Sequence, residues 1–371
     1  MKSQDILFAL NDINDKFIAD ASPQKNKTTS PNLIKTVAAL AACFSVISVF
    51  IFAYSSLKHP PNELPKLEIN IDNSGRGYEA SRYYDLKYSN DINPWNEQFS
   101  SDTLPVYKNL SYNGITLTQK FFSESQIKEK LFKTAEALEE EILSISTQWD
   151  EENDGYFYNC VAETKSFTIS ETGTSTGIII KDKKISSESE NLMSFLKLYP
   201  ELLIYKNLKT GIRKVFSYND ELLFEQTVAY SESEDLTESI INYNMSSVNF
   251  SSVEGICSIV IEHRLDSAEK LGDYPIISLN EAEEKLISGK YITSVPSSFF
   301  EAPEINSADI EKAELVYLIT PYSDLYMPYY LFYIYLKNTG TKQSADYGHF
   351  YVPAIADDYI ENYRLWNGAI Q

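Results

Sequence analysis

Three runs near the C-terminal end, KAELVYLI (312–319), YYLFYIYLK (329–337) and HFYVPAI (349–355), settle what kind of core this chain builds. In the first, Ala313, Leu315, Tyr317 and Ile319 alternate against Glu314 and Val316. In the second, Tyr330, Phe332, Ile334 and Leu336 share one face, and Tyr329, Leu331, Tyr333 and Tyr335 share the other. A period of two is the mark of a strand, whose side chains point alternately to opposite faces. Just upstream, Ser278 with Glu281 three residues on is a capping box, and Leu279, Ala282 and Leu286 give an apolar stripe closed by Gly289 at the C′ position. The spacing therefore predicts a helix lying on one face of an antiparallel sheet. Tyr329, Tyr333 and Tyr335 then form the opposite face. If that face is open, they make a rigid amphipathic patch of the kind that dominates interface hot spots or stacks on sugar rings. The competing reading is that tyrosine merely suits half-buried strands, or that the preceding domain covers this face.

Moving toward the N-terminus, Gly272-Asp-Tyr-Pro275 reads as a breaker and divides a first domain, 83–270, from a second, 271–371. In the first domain TLPVYKNL (103–110) reads as an extended segment. Ser123 and Gln126 cap a helix expected to run to about Ser146, with Ile127, Leu131, Ala135, Leu138 and Ile142 inward and Glu136, Glu139, Glu140 and Glu141 in solvent. Strands are predicted over 156–169 and 177–181, a short helix over 191–198, and further strands in RKVFSY, LLFEQTVAY, INYNMSSVNF and CSIVIEHRL between Leu202 and Leu265. Runs of strands broken by isolated helices predict an α+β fold of antiparallel sheets, each packed by one or two helices.

Further upstream, residues 58–82 carry Pro60, Pro61, Pro65, Gly75 and Gly77 and read as a stalk linker. Before it, TVAALAACFSVISVFIFAYSSL (36–57) holds 22 residues without a charge. About 20 apolar residues cross a hydrocarbon layer roughly 30 Å thick, so this segment is predicted to be a single transmembrane helix. It is too long and begins too late for a cleaved signal peptide. Leu40-Ala41-Ala42-Cys43 looks like a lipoprotein acylation site, but the run stays apolar beyond Cys43, which is read as a small packing residue. Lys25, Lys27 and Lys35 flank the span on its N-terminal side with no acid between Ala21 and Lys35. That asymmetry predicts a cytoplasmic N-terminus and an extracytoplasmic bulk, hence a single-pass protein of the cell membrane. In the tail, residues 1–35, Ile6, Leu10, Ile13 and Phe17 recur at helical spacing, a short amphipathic helix that suits the inner membrane surface or a cytoplasmic partner of residues 1–20.

The net charge is −21; with five Lys and four Asp in the tail, 27 basic and 49 acidic residues remain outside it. A body this acidic is repelled by phosphate backbones, so nucleic acid is excluded as a partner. Cys160 and Cys257, the two cysteines beyond the span, sit in apolar strand-like runs and read as buried thiols, although the spacing does not forbid a bond between them.

The order SLNEAEEKLISGK, ELVYLITPYSDLYMPYYLFYIYL, YGHFYVPAI resembles the last unit of the YycI/YycH-type proteins of Gram-positive bacteria, whose extracytoplasmic units are related to PepSY domains. The tail FALNDINDKFIADASP is similar to tails of clostridial membrane proteins, some labelled anti-sigma-like. The likeness covers the architecture and roughly the last hundred residues, through patterned apolar and aromatic positions alone. It implies a partner-binding regulator of a sensor kinase or similar membrane complex, and it brings no catalytic residues with it.

Chemical motifs are few. Gly173-Thr-Ser-Thr-Gly177 matches G-x-S-x-G, but Ile178-Ile179-Ile180 follows where a nucleophile elbow needs a helix, so it reads as a turn between strands. His263 and His349 each alternate with apolar neighbours and read as structural histidines. Asp150-Glu-Glu-Asn-Asp-Gly155 begins like a calcium loop, yet its twelfth position is Val161, where a bidentate carboxylate belongs. No catalytic residue, metal or cofactor is expected. The predicted function is a non-enzymatic, membrane-anchored interaction protein that modulates a signalling complex through a membrane or envelope protein partner. The alternative is an envelope module that binds glycan or peptide, with an enzyme third.

Overall fold

The computed structural model describes residues 64–69, 79–89, 92–112, 122–148, 159–181, 189–202, 207–253, 256–296, 299, 305–319, 324–337 and 339–363. The tail, the span 36–57 and the loop 150–155 lie outside them. Among the described residues no helix is long and apolar enough to cross a membrane.

In chain order the elements are β1 (Leu67–Ile69), β2 (Ala80–Arg82), α1 (Tyr83–Tyr88), β3 (Thr103–Asn109), α2 (Glu124–Ala137), β4 (Ser144–Gln148), β5 (Asn159–Glu163), β6 (Phe167–Glu171), β7 (Ser175–Ile180) and α3 (Ser189–Leu198). There follow β8 (Leu208–Phe216), β9 (Leu222–Ser231), α4 (Leu236–Met245), β10 (Val248–Val253), β11 (Ile256–Glu262), β12 (Ala268–Pro275), α5 (Leu279–Ile287) and β13 (Ile292–Thr293). The last are β14 (Ile310–Tyr317), β15 (Leu325–Tyr326), β16 (Pro328–Tyr335), β17 (Asp346–Pro353) and β18 (Ile360–Tyr363). The fold is α+β with mostly antiparallel sheets and few helices. An eight-stranded sheet runs β4-β5-β6-β7-β11-β10-β9-β8 and a five-stranded one runs β13-β17-β16-β14, with β2 also on β17. A three-stranded sheet, β12-β3-β15, and the parallel pair β1-β18 complete the set.

The eight-stranded sheet buries one face against α2 and α3. Ile127 and Leu131 on α2 and Leu192 and Phe195 on α3 meet Ile169, Ile178 and Phe250 from the strands. Both cysteines are buried on this face, on β5 and β11, with two strands between them. Three strand spacings of about 4.8 Å, with a four-residue offset along the strands, set them more than about 14 Å apart, beyond any disulfide. Ser123 accepts from the Gln126 backbone N–H while the Gln126 side chain takes the Ser123 N–H, the expected box. The helix ends sooner than predicted, at Ala137. Glu139 adopts φ 56°, and the Glu139 and Glu140 N–H groups bond back to the Glu136 and Ala135 carbonyls, a Schellman close. Glu139–Glu141 would crowd three negative charges onto the negative end of the helix dipole, which opposes continuation. Ile142 therefore leaves the helix, and Ser144 begins a strand.

In the five-stranded sheet α5 covers one face as predicted, with Ala282 and Leu286 packed among Phe332, Phe350 and Val352. Gly289 at φ 81° closes the helix through the same Schellman bonds. The opposite face differs from expectation. Tyr329 is 1% exposed, set among Val106 of β3, Tyr274 of β12 and Met327. The stalk and boundary readings fail for one reason: short N-terminal strands are built into the C-terminal sheets. Leu67–Ile69 and Ala80–Arg82, taken from sequence as stalk, pair with β18 and β17. The boundary expected at 270/271 falls inside β12, where Gly272-Asp-Tyr-Pro275 pairs with Thr103–Val106 of β3. Leu64 to Gln371 accordingly makes one compact unit.

Candidate functional site, a cleft between the two large sheets

A cleft of about 640 Å³ opens between the second face of the eight-stranded sheet and the tyrosine face of the five-stranded one. That size lies within the range of small-molecule and cofactor sites. One wall carries Glu314 from β14, Tyr333 from β16, and His349 and Tyr351 from β17. The other carries Arg213 from β8, Tyr243 from α4, Glu262 from β11 and Arg264 just beyond it. A second chamber of about 240 Å³ adjoins it, and both share Ala80, Arg213, Tyr243, Glu314 and Tyr333.

The polar groups are held in place by their neighbours. Tyr333 donates its hydroxyl to Glu314 at 2.9 Å, and Tyr351 donates to Glu79 at 2.9 Å. Glu314 also meets Lys312 at 2.7 Å, and Glu262 meets Arg264 at 3.0 Å. Arg213 reaches the Tyr243 hydroxyl at 3.3 Å and Gln226 at 3.4 Å. Burial, with the Glu314 charge beside it, pushes the Tyr333 hydroxyl well above its ordinary range. Burial likewise pushes Glu262 up, against the pull of Arg264. His349 is driven down to about 4 by burial; its Nε2 lies 2.9 Å from Ser81 Oγ and Tyr333 stands edge-on at 5.0 Å. It is a neutral imidazole at physiological pH. Among the described residues lining the two chambers, Arg213, Lys214, Arg264 and Lys312 balance Glu79, Asp85, Glu262 and Glu314. The chain as a whole carries −21, so the cleft is a locally neutral region on an acidic body.

Strand edges beside the cleft are capped by side chains. On β8, Lys214 N–H donates to Ser89 Oγ at 2.8 Å, and Phe216 N–H donates to Asp85 at 2.7 Å. On β14, Asn93 donates to the Leu315 carbonyl at 3.0 Å, and Tyr317 N–H donates to Asn244 Oδ1 at 3.0 Å. The two sheets are also bridged by Arg82, whose side chain is 11% exposed. It meets Asp346 of β17 at 2.9 Å and Asp220 of the β8–β9 turn at 3.2 Å.

Of the three tyrosines singled out from sequence, only Tyr333 lines the cleft, with the residue 9% exposed. Tyr329 is buried under β3 and β12, and Tyr335 is half-buried with its hydroxyl on the Gly340 carbonyl at 3.0 Å. The exposed three-tyrosine patch is therefore corrected: β1, α1, β3 and β12 cover most of that face. The turn between β6 and β7 holds Gly173 at φ 90°, as read, and Ser175–Gly177 already belong to β7. His263 pairs with Thr176 Oγ1 at 3.1 Å. Arg213, Tyr243, Glu262 and Arg264 were not foreseen as site residues. Each lies in a segment whose alternation alone gives no sign that a second sheet faces it.

No family model matches the chain, and no curated protein matches it. Among solved structures it is similar to the crystal structure of an uncharacterised protein from Eubacterium rectale ATCC 33656, at 12% identity and a TM-score of 0.34, over 72% of this chain and 86% of that one.

Proposed function

We propose that the chain is a single-pass, extracytoplasmic interaction protein of the cell membrane that modulates a membrane signalling complex and carries out no chemistry of its own. The uncharged run at 36–57 supports the anchor, and the lysines before it support a cytoplasmic N-terminus. The likeness of the C-terminal unit to YycI/YycH-type proteins supports the regulatory role. The observation that carries the reading is the pair of sheets facing each other across an open cleft and tied beside it by Arg82. The sheets also share an apolar contact through Ile240 and Met245 of α4, set in one core with Leu315 and Tyr317, and a ligand or partner that prefers one arrangement of the cleft walls shifts the balance toward it.

The test is crosslinking in native membranes from a photoreactive residue at Tyr218, which is 80% exposed beside the Arg82 bridge. Mass spectrometry should identify a signalling protein of the same membrane, and capture should fall when 36–57 is replaced by an unrelated span. Protease added to intact, wall-stripped cells should digest residues 58–371. Survival of that part until lysis would invert the topology and end the proposal.

The second reading, an envelope ligand-binding module, is favoured by the cleft itself, whose polar groups are fixed before any ligand arrives.

A further inference from the structure

We infer that the cleft binds a neutral, hydroxyl-rich chain, an oligosaccharide, threaded between the two sheets through both chambers. The inference rests on the second reading above, that the cleft is a ligand site. Three observations carry it.

The first is shape. The two chambers share the Arg213, Tyr243, Glu314 and Tyr333 side chains, so the two spaces lie end to end with those four between them. An elongated ligand of several units fits this arrangement better than a compact one.

The second is charge. Four cations balance four carboxylates around the two chambers, so neither a polyanion nor a polycation gains from entering. A hydroxylated chain gains differently. A carboxylate offers about four acceptor directions, and one bond from a tyrosine or arginine fixes its plane while leaving others for ligand hydroxyls. Glu79 is held by Tyr351, Glu262 by Arg264, and Glu314 by both Tyr333 and Lys312, and the Arg213 guanidinium between the chambers supplies donors. The Tyr333, Tyr351 and Tyr243 rings beside them supply amphipathic surface of the type that meets sugar rings.

The third observation decides against a peptide. An extended peptide is usually taken up by adding a strand to a sheet edge, using free backbone donors and acceptors there. Beside this cleft the Lys214 and Phe216 N–H groups of β8 and the Leu315 carbonyl and Tyr317 N–H of β14 are already engaged, by Ser89, Asp85, Asn93 and Asn244. At these positions a ligand reads side chains, and those are carboxylates, a guanidinium and phenols.

The experiment uses the full chain in nanodiscs of phosphatidylcholine, with empty nanodiscs as control. Saturation-transfer NMR and calorimetry are run with chitotetraose, cellotetraose, tetragalacturonate and tetraglycine. Saturable binding of chitotetraose or cellotetraose is expected, weaker for tetragalacturonate, with no binding of tetraglycine. R213A, which removes an exposed side chain between the chambers, should weaken binding at least fivefold with an unchanged melting temperature. Y333F keeps the ring and removes only the bond to Glu314; it should weaken binding about threefold, and it serves if R213A proves unstable. The inference is overturned if neither neutral sugar saturates up to 10 mM, if tetraglycine or tetragalacturonate binds more tightly, or if both variants bind as the parent does. All of this is read on purified protein. Failure here therefore leaves partner capture in membranes untouched, and failed capture leaves sugar binding untouched.

Discussion

Acidification should destabilise the protein through His349, and the size of the effect can be worked out. The imidazole lies between the Tyr333 and Tyr351 rings, 5.0 and 6.4 Å away between centroids, with Ser81 on Nε2. Burial lowers it from 6.5 to about 4 in the folded state. The folded chain thus binds fewer protons than the unfolded chain between those values. Stability from this group is complete above pH 6.5 and is lost as pH falls toward 4. Between pH 7 and 4.5 the unfolded imidazole becomes almost fully protonated while the folded one stays mostly neutral. At about 1.4 kcal/mol per pH unit, the loss is about 2 kcal/mol, or roughly thirtyfold in the folding equilibrium. His263 is lowered by burial as well, with Lys130 adding to the effect, and it contributes in the same direction. The comparison must therefore be parent against H349Q, which keeps a polar group facing Ser81 but cannot titrate. Denaturation midpoints at pH 7.0 and 4.5 should diverge, with the parent losing about 2 kcal/mol more than the variant. Proton NMR should place the His349 midpoint near 4. Parallel pH profiles for parent and variant, or a midpoint above 6, would refute the burial argument.

Three further outcomes follow from the packing. R82A removes one charge-assisted bond within the five-stranded sheet, to Asp346, and one that crosses to Asp220 of the other sheet, and leaves both carboxylates without this cation; it should cost about 3 kcal/mol by thermal denaturation. R82K should recover only part of that, since the fork is lost. G211A places a methyl group 1.9 Å from Ile92 Cγ2, a buried neighbour, and should cost about 1–3 kcal/mol by the same measurement. E139G relieves a left-handed residue at the end of α2 and should raise stability by about 0.5–1 kcal/mol; a lower melting temperature would show that Glu139 makes a contact worth more than the strain.

Local chemistry explains what could be read from the chain and what could not. Ser123 with Gln126 and Ser278 with Glu281 announced two helix starts, because a capping box satisfies its donors within four residues. Gly289 announced a helix end, since φ 81° favours glycine. The tyrosine strand was legible by its period of two. INYNM was misread as strand because Ile241, Tyr243 and Met245 alternate, whereas the Asp235 cap, which bonds Thr237 N–H, starts a helix over it. Gly272-Asp-Tyr-Pro275 looked like a breaker, but its partner β3 lies more than 160 residues earlier, and no local pattern reports such pairing. The candidate site was least legible, because its two walls come from segments at least 50 residues apart and half its definition is the sheet that faces each residue. Tyr333 was chosen for an exposed face and matters instead as a partly covered wall.

The pairing of β1 with β18 and of β2 with β17 also constrains the order in which this protein can be completed. Leu67–Ile69 leaves the ribosome almost 300 residues before its partner at Ile360–Tyr363. The sheets that use the earliest strands cannot close until the last ones have been made, and such distant pairings are slow to form. During that interval the nascent chain carries unmatched strand backbone, open to misassociation. A chain truncated before Asp346 would never complete these two ladders, so quality control at the site of synthesis has a clear signal to act on.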